Sequence, residues 1–323
     1  MMCGCCFANS GVPAVERGMI DIKKIQAFLC AADTSSLSEA AKQVHLTQPA
    51  VSHQIKQLEQ ELGVKLFVRS NIGLKLTEAG ELLLPWARRL LHDMDDLKDM
   101  MSSAQDVFAG ELRIMCSTSV GKYLLPQLTA RFCRRYPQIK ARILACGPER
   151  TALRLLEGDA HLGVVSREAN DKGVESQEIF CDTIELFVAA NHRWAGRSSI
   201  EPSEIVSEPI LLREETSGTR WVMLSELSKF DISLEDLNVF LEIGSAEGIL
   251  EAVANGYGVS FVSELAGRHL RELGRVTCVP VDGLEMKRTI YMARKRISAP
   301  HRPRDVFWGF IHAPENSDLL RRK

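Results

Sequence analysis

Gln48, Ser52, His53 and Lys56 follow one another at spacings of four, one and three residues. Their amide, hydroxyl, imidazole and ammonium groups can hydrogen-bond base edges or meet a phosphate. Interleaved with them, Val51, Ile55, Leu58 and Leu62 recur at spacings of four, three and four, the signature of one buried helical stripe. A helix here turns the polar set outward. Thr47 is a natural N-cap, and Pro49 fits the first turn because its missing N–H has no intrahelical partner there. Ser36 stands at capping-box spacing from Glu39 and starts an earlier helix. Two short amphipathic helices about a tight turn are a helix-turn-helix, whose second helix could enter a DNA major groove. An ordinary solvated helix carries the same texture. The continuation decides between them, because Gly63 to Arg69 and Leu74 to Gly80 read as two strands about a turn at Asn71 to Gly73, forming a small wing.

One long helix must position this unit and pair it. From Thr77 to about Phe108 the pattern is one long helix, with Leu83, Leu90 and Leu97 seven residues apart and Ala87, Met94 and Met101 at the complementary heptad position. That seam can join a second copy. A homodimer would present two recognition helices to a two-fold-related site.

After Gly110 strand and helix patterns alternate. Strands are expected at 112–116, 141–145, 161–165, 184–189, 209–212, 239–243, 259–262 and 289–292, and helices at 151–157, 220–228, 246–255 and 303–312. Two strands run through hydroxyl clusters straight into helices, one at Ser117, Thr118 and Ser119, the other at Thr216, Ser217, Gly218 and Thr219. Free backbone N–H groups and hydroxyls at such helix starts suit an anion or carboxylate. Helix N-caps are rich in Ser and Thr without any ligand, which is the plainer reading of each cluster. Ser245 begins a further strand–helix–strand crossover and could line a cleft between the two clusters.

The chain has 323 residues, 45% of them hydrophobic, enough for two or three packed domains, and no run long and apolar enough to span a bilayer. A net charge of -2 argues against non-specific coating of nucleic acid, and residues 19–80 hold seven Lys and Arg against six Asp and Glu. Specific binding then rests on where charges sit. Met1 to Gly18 carries Cys3, Cys5 and Cys6 without a secretory pattern or a fourth metal ligand, and reads as a flexible extension or an upstream start before Met19. Cys30, Cys116, Cys133, Cys146, Cys181 and Cys278 read as reduced, mostly buried thiols of a cytoplasmic protein. Redox sensing through Cys116, beside the first hydroxyl cluster, is the weaker alternative. The sequence has no nucleophile elbow, zincin, phosphate-binding loop or paired Cys-x-x-Cys motif, and its eight histidines lack ligand spacing. An enzyme is not expected, nor a cofactor or metal.

The N-terminal run resembles the DNA-binding domain of LysR-type transcriptional regulators. It carries Ala40-Ala41, Thr47-Gln48-Pro49-Ala50-Val51-Ser52, Leu58-Glu59, Leu62-Gly63, Leu66-Phe67-Val68-Arg69 and Leu76-Thr77-Glu78-Ala79-Gly80 in the family's order. The resemblance is strong over 19–110 and looser beyond. It implies an α+β chain overall: a flexible extension 1–18, a winged helix-turn-helix 19–78, a linker and dimerisation helix 79–108, and an effector domain 110–323. That effector domain is expected to be α/β and periplasmic-binding-protein-like, with subdomain I at about 110–183 and 286–323 and subdomain II at about 184–285. Gln48, Pro49, Ser52, His53 and Lys56 fall where the family's groove contacts lie, with Arg69 and Lys75 on the wing. The wing departs from the family at Ile72, where an Arg is common, leaving Lys75 to reach a phosphate. The effector is implied between the subdomains, against Ser117, Thr118 and Ser119 on one side and Thr216, Ser217, Gly218 and Thr219 on the other. The Ser-Gly-Thr-Arg run at 217–220 is similar to regulators of sulfur assimilation and carbon fixation. The expected protein is a sequence-specific regulator of double-stranded DNA controlled by a small anionic or carboxylate metabolite, working as a homodimer or homotetramer. The competing reading is a solute-binding sensor whose helix-turn-helix does not read DNA.

Overall fold

A computed structural model describes residues 20–70, 73–103, 108–116, 119–168, 171–298 and 300–320. The extension 1–18, the wing turn at Asn71 and Ile72, and Ser117 and Thr118 lie outside them. The chain divides into two compact units, Met1–Met94 and Asp95–Lys323.

In the first unit, α1 (Ile22–Thr34), α2 (Leu37–Gln43) and α3 (Gln48–Leu62) precede a two-stranded wing of β1 (Phe67–Ser70) and β2 (Gly73–Leu76). Ser36 caps α2 by accepting from the Glu39 amide at 3.4 Å. His45, at φ 53°, turns the chain between α2 and α3, and Gly63, at φ 71°, ends α3 in the left-handed region that glycine enters without a Cβ penalty. Ala27, Ala31, Ala40 and Ala41 let the helices approach closely over Val51 and Ile55, while Phe28, Leu29, Leu58 and Leu66 form the neighbouring core.

The long helix α4 is described over Glu78–Ser103, and residues 104–107 of the expected helix lie outside the described residues. Its apolar seam differs from the heptad reading. Ala87 is buried and Leu83 half-buried against the core of the first unit, so neither is free to face a partner. The exposed apolar side chains are Leu82, Trp86, Leu90, Leu97, Met100 and Met101. Heptad spacing cannot distinguish a helix that packs inward near its start from one exposed throughout.

The second unit is an α/β sensor. Subdomain I holds β3 (Gly110–Cys116), α5 (Ser119–Arg135), β4 (Ile139–Ala145), α6 (Pro148–Glu157) and β5 (Leu162–Val165). β3 lies parallel to β4 and β5. The chain then enters β6 (Val174–Ala189), passes through subdomain II, and returns in β11 (Lys287–Lys295), which lies antiparallel to both β5 and β6. The helix α10 (Arg302–Phe310) closes the core with Phe132, Phe307 and Ile290.

Subdomain II contains β7 (Ile210–Arg213), α7 (Gly218–Leu227), β8 (Val239–Ile243), α8 (Ala246–Ala254), β9 (Ser260–Ser263), α9 (Glu264–Glu272) and β10 (Val276–Val279). Its core gathers Val188, Trp194, Leu212, Leu227 and Val259. The strand expected at 184–189 is only the distal part of β6, whose earlier residues pair with β11 while Ile184–Phe187 pair with β9. The elements α9 and β10 have no counterpart in the periodicity reading. Cys181 is exposed, against the expectation of burial, because it sits on the outward face of β6.

Candidate functional site

The stripe of α3 is buried at Val51, Ile55 and Leu58 and half-buried at Leu62. Gln48, Pro49, His53 and Lys56 are exposed on the other side, with Ser52 half-buried among them. Thr47 takes the N-cap position with extended backbone, although its hydroxyl makes no capping bond. Lys75 is exposed on β2, opposite Val68, and Arg69 lies on β1 opposite Leu74.

The wing is fixed to α3 by Glu59, which the hydrophobic pattern does not single out. Its Oε1 accepts from the Leu66 amide at 2.9 Å and the Phe67 amide at 3.4 Å, and its Oε2 from Lys65 Nζ at 2.6 Å. Burial alone would raise this carboxyl, but Lys65 and the two amides more than offset it and hold it below its ordinary value. On the far side of the wing, Thr77 donates its hydroxyl to the Lys65 carbonyl at 2.6 Å and accepts from the Gly80 amide at 3.1 Å. A Cβ at Gly80 would lie 2.3 Å from the Leu66 carbonyl oxygen, so only glycine allows this close approach. The run from Leu76 to Gly80 is thus a joint between wing and α4, and the α1–α2 corner is tied to β2 by Leu74 N–H on the Ser35 carbonyl at 3.2 Å.

In the sensor, a cavity of about 570 Å³ opens between the subdomains. Subdomain I contributes Thr151 and the run Ser166, Arg167 and Glu168 that follows β5; subdomain II contributes Glu215, Thr216 and Gly218 at the start of α7. Of the expected effector set, Thr216 and Gly218 line this space. Ser217 and Thr219 are buried beneath it, and Ser119 begins α5. Ser245 caps α8 through the Gly248 amide and bonds Glu247, away from this lining. The sequence reading missed Thr151, Ser166 and Arg167, although Val165 running into Ser166 repeats the strand-into-hydroxyl signal that marked the other two loops.

Beneath the cavity lies a buried ion-pair network. Arg288 on β11 stands opposite Asp182 on β6, its Nε 2.9 Å from Asp182 Oδ2. Its Nη1 donates to Thr219 Oγ1 at 2.9 Å, and Ser263 Oγ donates to Asp182 Oδ1 at 2.8 Å. Burial pulls the guanidinium below its ordinary value, while Asp182 opposes that loss. The network sits on the paired strands β6 and β11, next to where β6 leaves β11 for β9, and through Thr219 it grips the first turn of α7. A Cβ on Gly218 would meet Ser166 Oγ at 2.3 Å, so this helix start is pressed against the loop after β5.

These two sites have the geometry of a winged DNA reader and of a two-lobed ligand receptor, and comparison with known proteins agrees. Residues 22–81 match the family described as bacterial regulatory helix-turn-helix protein, lysR family, and residues 105–314 match the LysR substrate binding domain. An uncharacterized HTH-type transcriptional regulator of Methanocaldococcus jannaschii is 33% identical over 292 residues, covering 90% of this chain and 98% of the relative. Full-length CbnR complexed with its target DNA shares the fold at a TM-score of 0.71 and 20% identity, over 90% of this chain and 98% of that one. The CcmR regulatory domain of Synechocystis PCC6803 in complex with 2-PG does so at a TM-score of 0.58 and 24% identity, over 63% of this chain and 96% of that one. Among the described residues no helix is long and apolar enough to cross a membrane. The chain belongs to the LysR family of bacterial helix-turn-helix transcriptional regulators.

Proposed function

We propose that this regulator reads a two-fold-related DNA site through Gln48, Pro49, Ser52, His53 and Lys56 of α3, with Arg69 and Lys75 of the wing meeting the backbone. We further propose that a small anionic or carboxylate metabolite in the sensor cleft controls this reading. The observation that carries the first part is the outward polar face of α3 over a stripe buried at Val51, Ile55 and Leu58, with the wing held to α3 by Glu59. A homodimer or homotetramer supplies the symmetry, and the exposed Leu82, Trp86, Leu90 of α4 offer an apolar surface for association. The ligand class rests on the helix start at Thr216 and Gly218, the hydroxyls of Thr151 and Ser166, and the Arg167 guanidinium around one cavity. Ser117, Thr118, Ser119, Ser217 and Thr219 complete the proposed effector set, Thr219 acting from below through Arg288.

A ligand that prefers one separation of the lobes shifts the population of sensor geometries, and with it the response at DNA. Titrating operator duplex across salt concentrations tests the DNA reading: affinity should fall with a log–log slope of about -0.9 per phosphate contact. A flat response would instead favour a sensor whose helix-turn-helix does not read DNA. A thermal-shift screen with sulfate, acetylserine, sugar phosphates and dicarboxylates tests the ligand class, since a molecule that binds the native state raises its melting point.

A further inference from the structure

Away from the cleft, three side chains of subdomain I converge on one carboxylate. His161 precedes β5, His301 caps α10, and Arg113 lies on β3; all three are more than nine-tenths buried. Asp96, on the last turns of α4, points its Oδ1 among them, 3.2 Å from His161 Nε2, 3.8 Å from His301 Nε2 and 3.5 Å (to the same oxygen) from Arg113 Nη2. The imidazole rings stack with centroids 3.8 Å apart.

Two histidines and an aspartate at this spacing invite a metal, but their polarity opposes one. His161 Nδ1 accepts from the Arg113 amide at 3.1 Å, and His301 Nδ1 accepts from the Arg304 amide at 3.1 Å. A neutral imidazole that accepts at Nδ1 carries its proton on Nε2. Both Nε2 atoms therefore carry an N–H group, whereas a metal needs a lone pair there and a donor at Nδ1. The Arg113 guanidinium adds a fixed positive charge. Burial lowers His161 below its ordinary value and takes His301 to about 3, so both rings are neutral donors near neutral pH.

The donors exceed what Asp96 uses. Among them only His161 hydrogen-bonds the carboxylate; His301 Nε2 and Arg113 Nη2 are buried and make no hydrogen bond. We propose that His161, His301 and Arg113 form an oxyanion socket in which Asp96 is the resident ligand, and that a free small carboxylate replaces it, releasing the last turns of α4 from subdomain I. The sensor would then have a second anion site, distinct from the cleft.

Formate, added to the full-length protein at constant ionic strength with chloride as the balancing anion, tests this. Asp96→Ala should lower the melting temperature, and formate should restore it saturably. Adding His301→Asn should abolish the rescue: the Asn side chain keeps an acceptor for the Arg304 amide but removes the Nε2 donor. Should Asp96→Ala not fold, Asp96→Ser, whose short side chain also vacates the socket, carries the same comparison. In the wild-type chain formate must displace Asp96, so half-saturation should need at least about tenfold more ligand and should raise amide exchange in residues 95–103. Formate rescue that survives loss of the His301 donor, no rescue at all, or unchanged exchange in 95–103 of the wild type would each overturn the proposal.

Discussion

The Arg167 guanidinium lies over the Trp221 ring, 4.4 Å from its centroid, joining the loop after β5 to the exposed face of α7. Arg167 also lines the cavity, so the contact is a strap across the cleft mouth between a charged group that a ligand anion would engage and an indole that would report the change. Ligand binding should therefore alter Trp221 emission. Trp221→Phe should remove that signal while leaving thermal stabilisation by the ligand in place. Arg167→Ala should weaken the ligand, and an unchanged affinity in a thermal-shift titration would remove Arg167 from the site.

Removing Arg288 leaves Asp182 buried without its countercharge and frees the Thr219 hydroxyl. Arg288→Ala should destabilise the sensor by about 3–5 kcal/mol, the usual cost of breaking a buried pair from one side. Urea unfolding measures it. Thr219→Val, which deletes only the hydroxyl bonded to Nη1, should cost less in stability yet blunt the ligand response while sparing basal DNA affinity.

Glu59→Gln should keep α3 folded but loosen the wing, because a neutral amide accepts more weakly from Leu66 and Phe67 and loses Lys65. A stability loss of about 1–3 kcal/mol is expected, as for buried donors left poorly satisfied. The carboxyl lies below its ordinary 4.5 in the folded chain, so its contribution is full above 4.5 and is lost as pH falls further. Comparing acid unfolding of the DNA-binding unit in wild type and variant checks both statements.

Ser52→Ala should weaken discrimination between operator and random duplex by about 1 kcal/mol or more, the scale of a lost base-edge contact. Competition binding at fixed salt measures the ratio. Equal losses on both duplexes would make Ser52 a structural residue of α3.

The histidine pair predicts a pH dependence of opposite origin to that of Glu59. His301 falls from an ordinary 6.5 to about 3, so folding favours its neutral form; that contribution is full above 6.5 and shrinks as pH drops towards about 3. Asp96, held below its ordinary 3.8 chiefly by His161 against the pull of burial, loses its contribution only at lower pH. Arg113 and Arg304 face the same groups and add to the lowering of His301. His301→Asn should flatten the fall in melting temperature between about pH 6.5 and 5, and an unchanged slope would assign that fall elsewhere.

Much of this is legible in the sequence. The α3 stripe follows from spacing alone, and the wing from the strand patterns either side of Asn71, because both are local. Glu59 was not legible as a lock: it adjoins Leu58 at the edge of the stripe, and its acceptor role depends on where residues 65–67 return. The same holds for His161 and His301, 140 residues apart in the chain and stacked only because β5 and α10 meet in one core. The first half of β6 escaped because Glu175, Ser176, Gln177 and Glu178 hide a strand under polar residues. Thr216 and Gly218 were visible as a helix start, but that Thr219 turns down to Arg288 rather than up to the cavity is a matter of tertiary direction.

The strand β6 runs for 16 residues and serves both lobes, bonding β11 along one part and β9 and β10 along the other. Neither lobe can lose its sheet without stripping a partner from its neighbour. Heating residues 95–323 should thus give a single calorimetric transition, so that a molecule gripping the cleft protects the α10 end of the sensor as fully as the residues it touches.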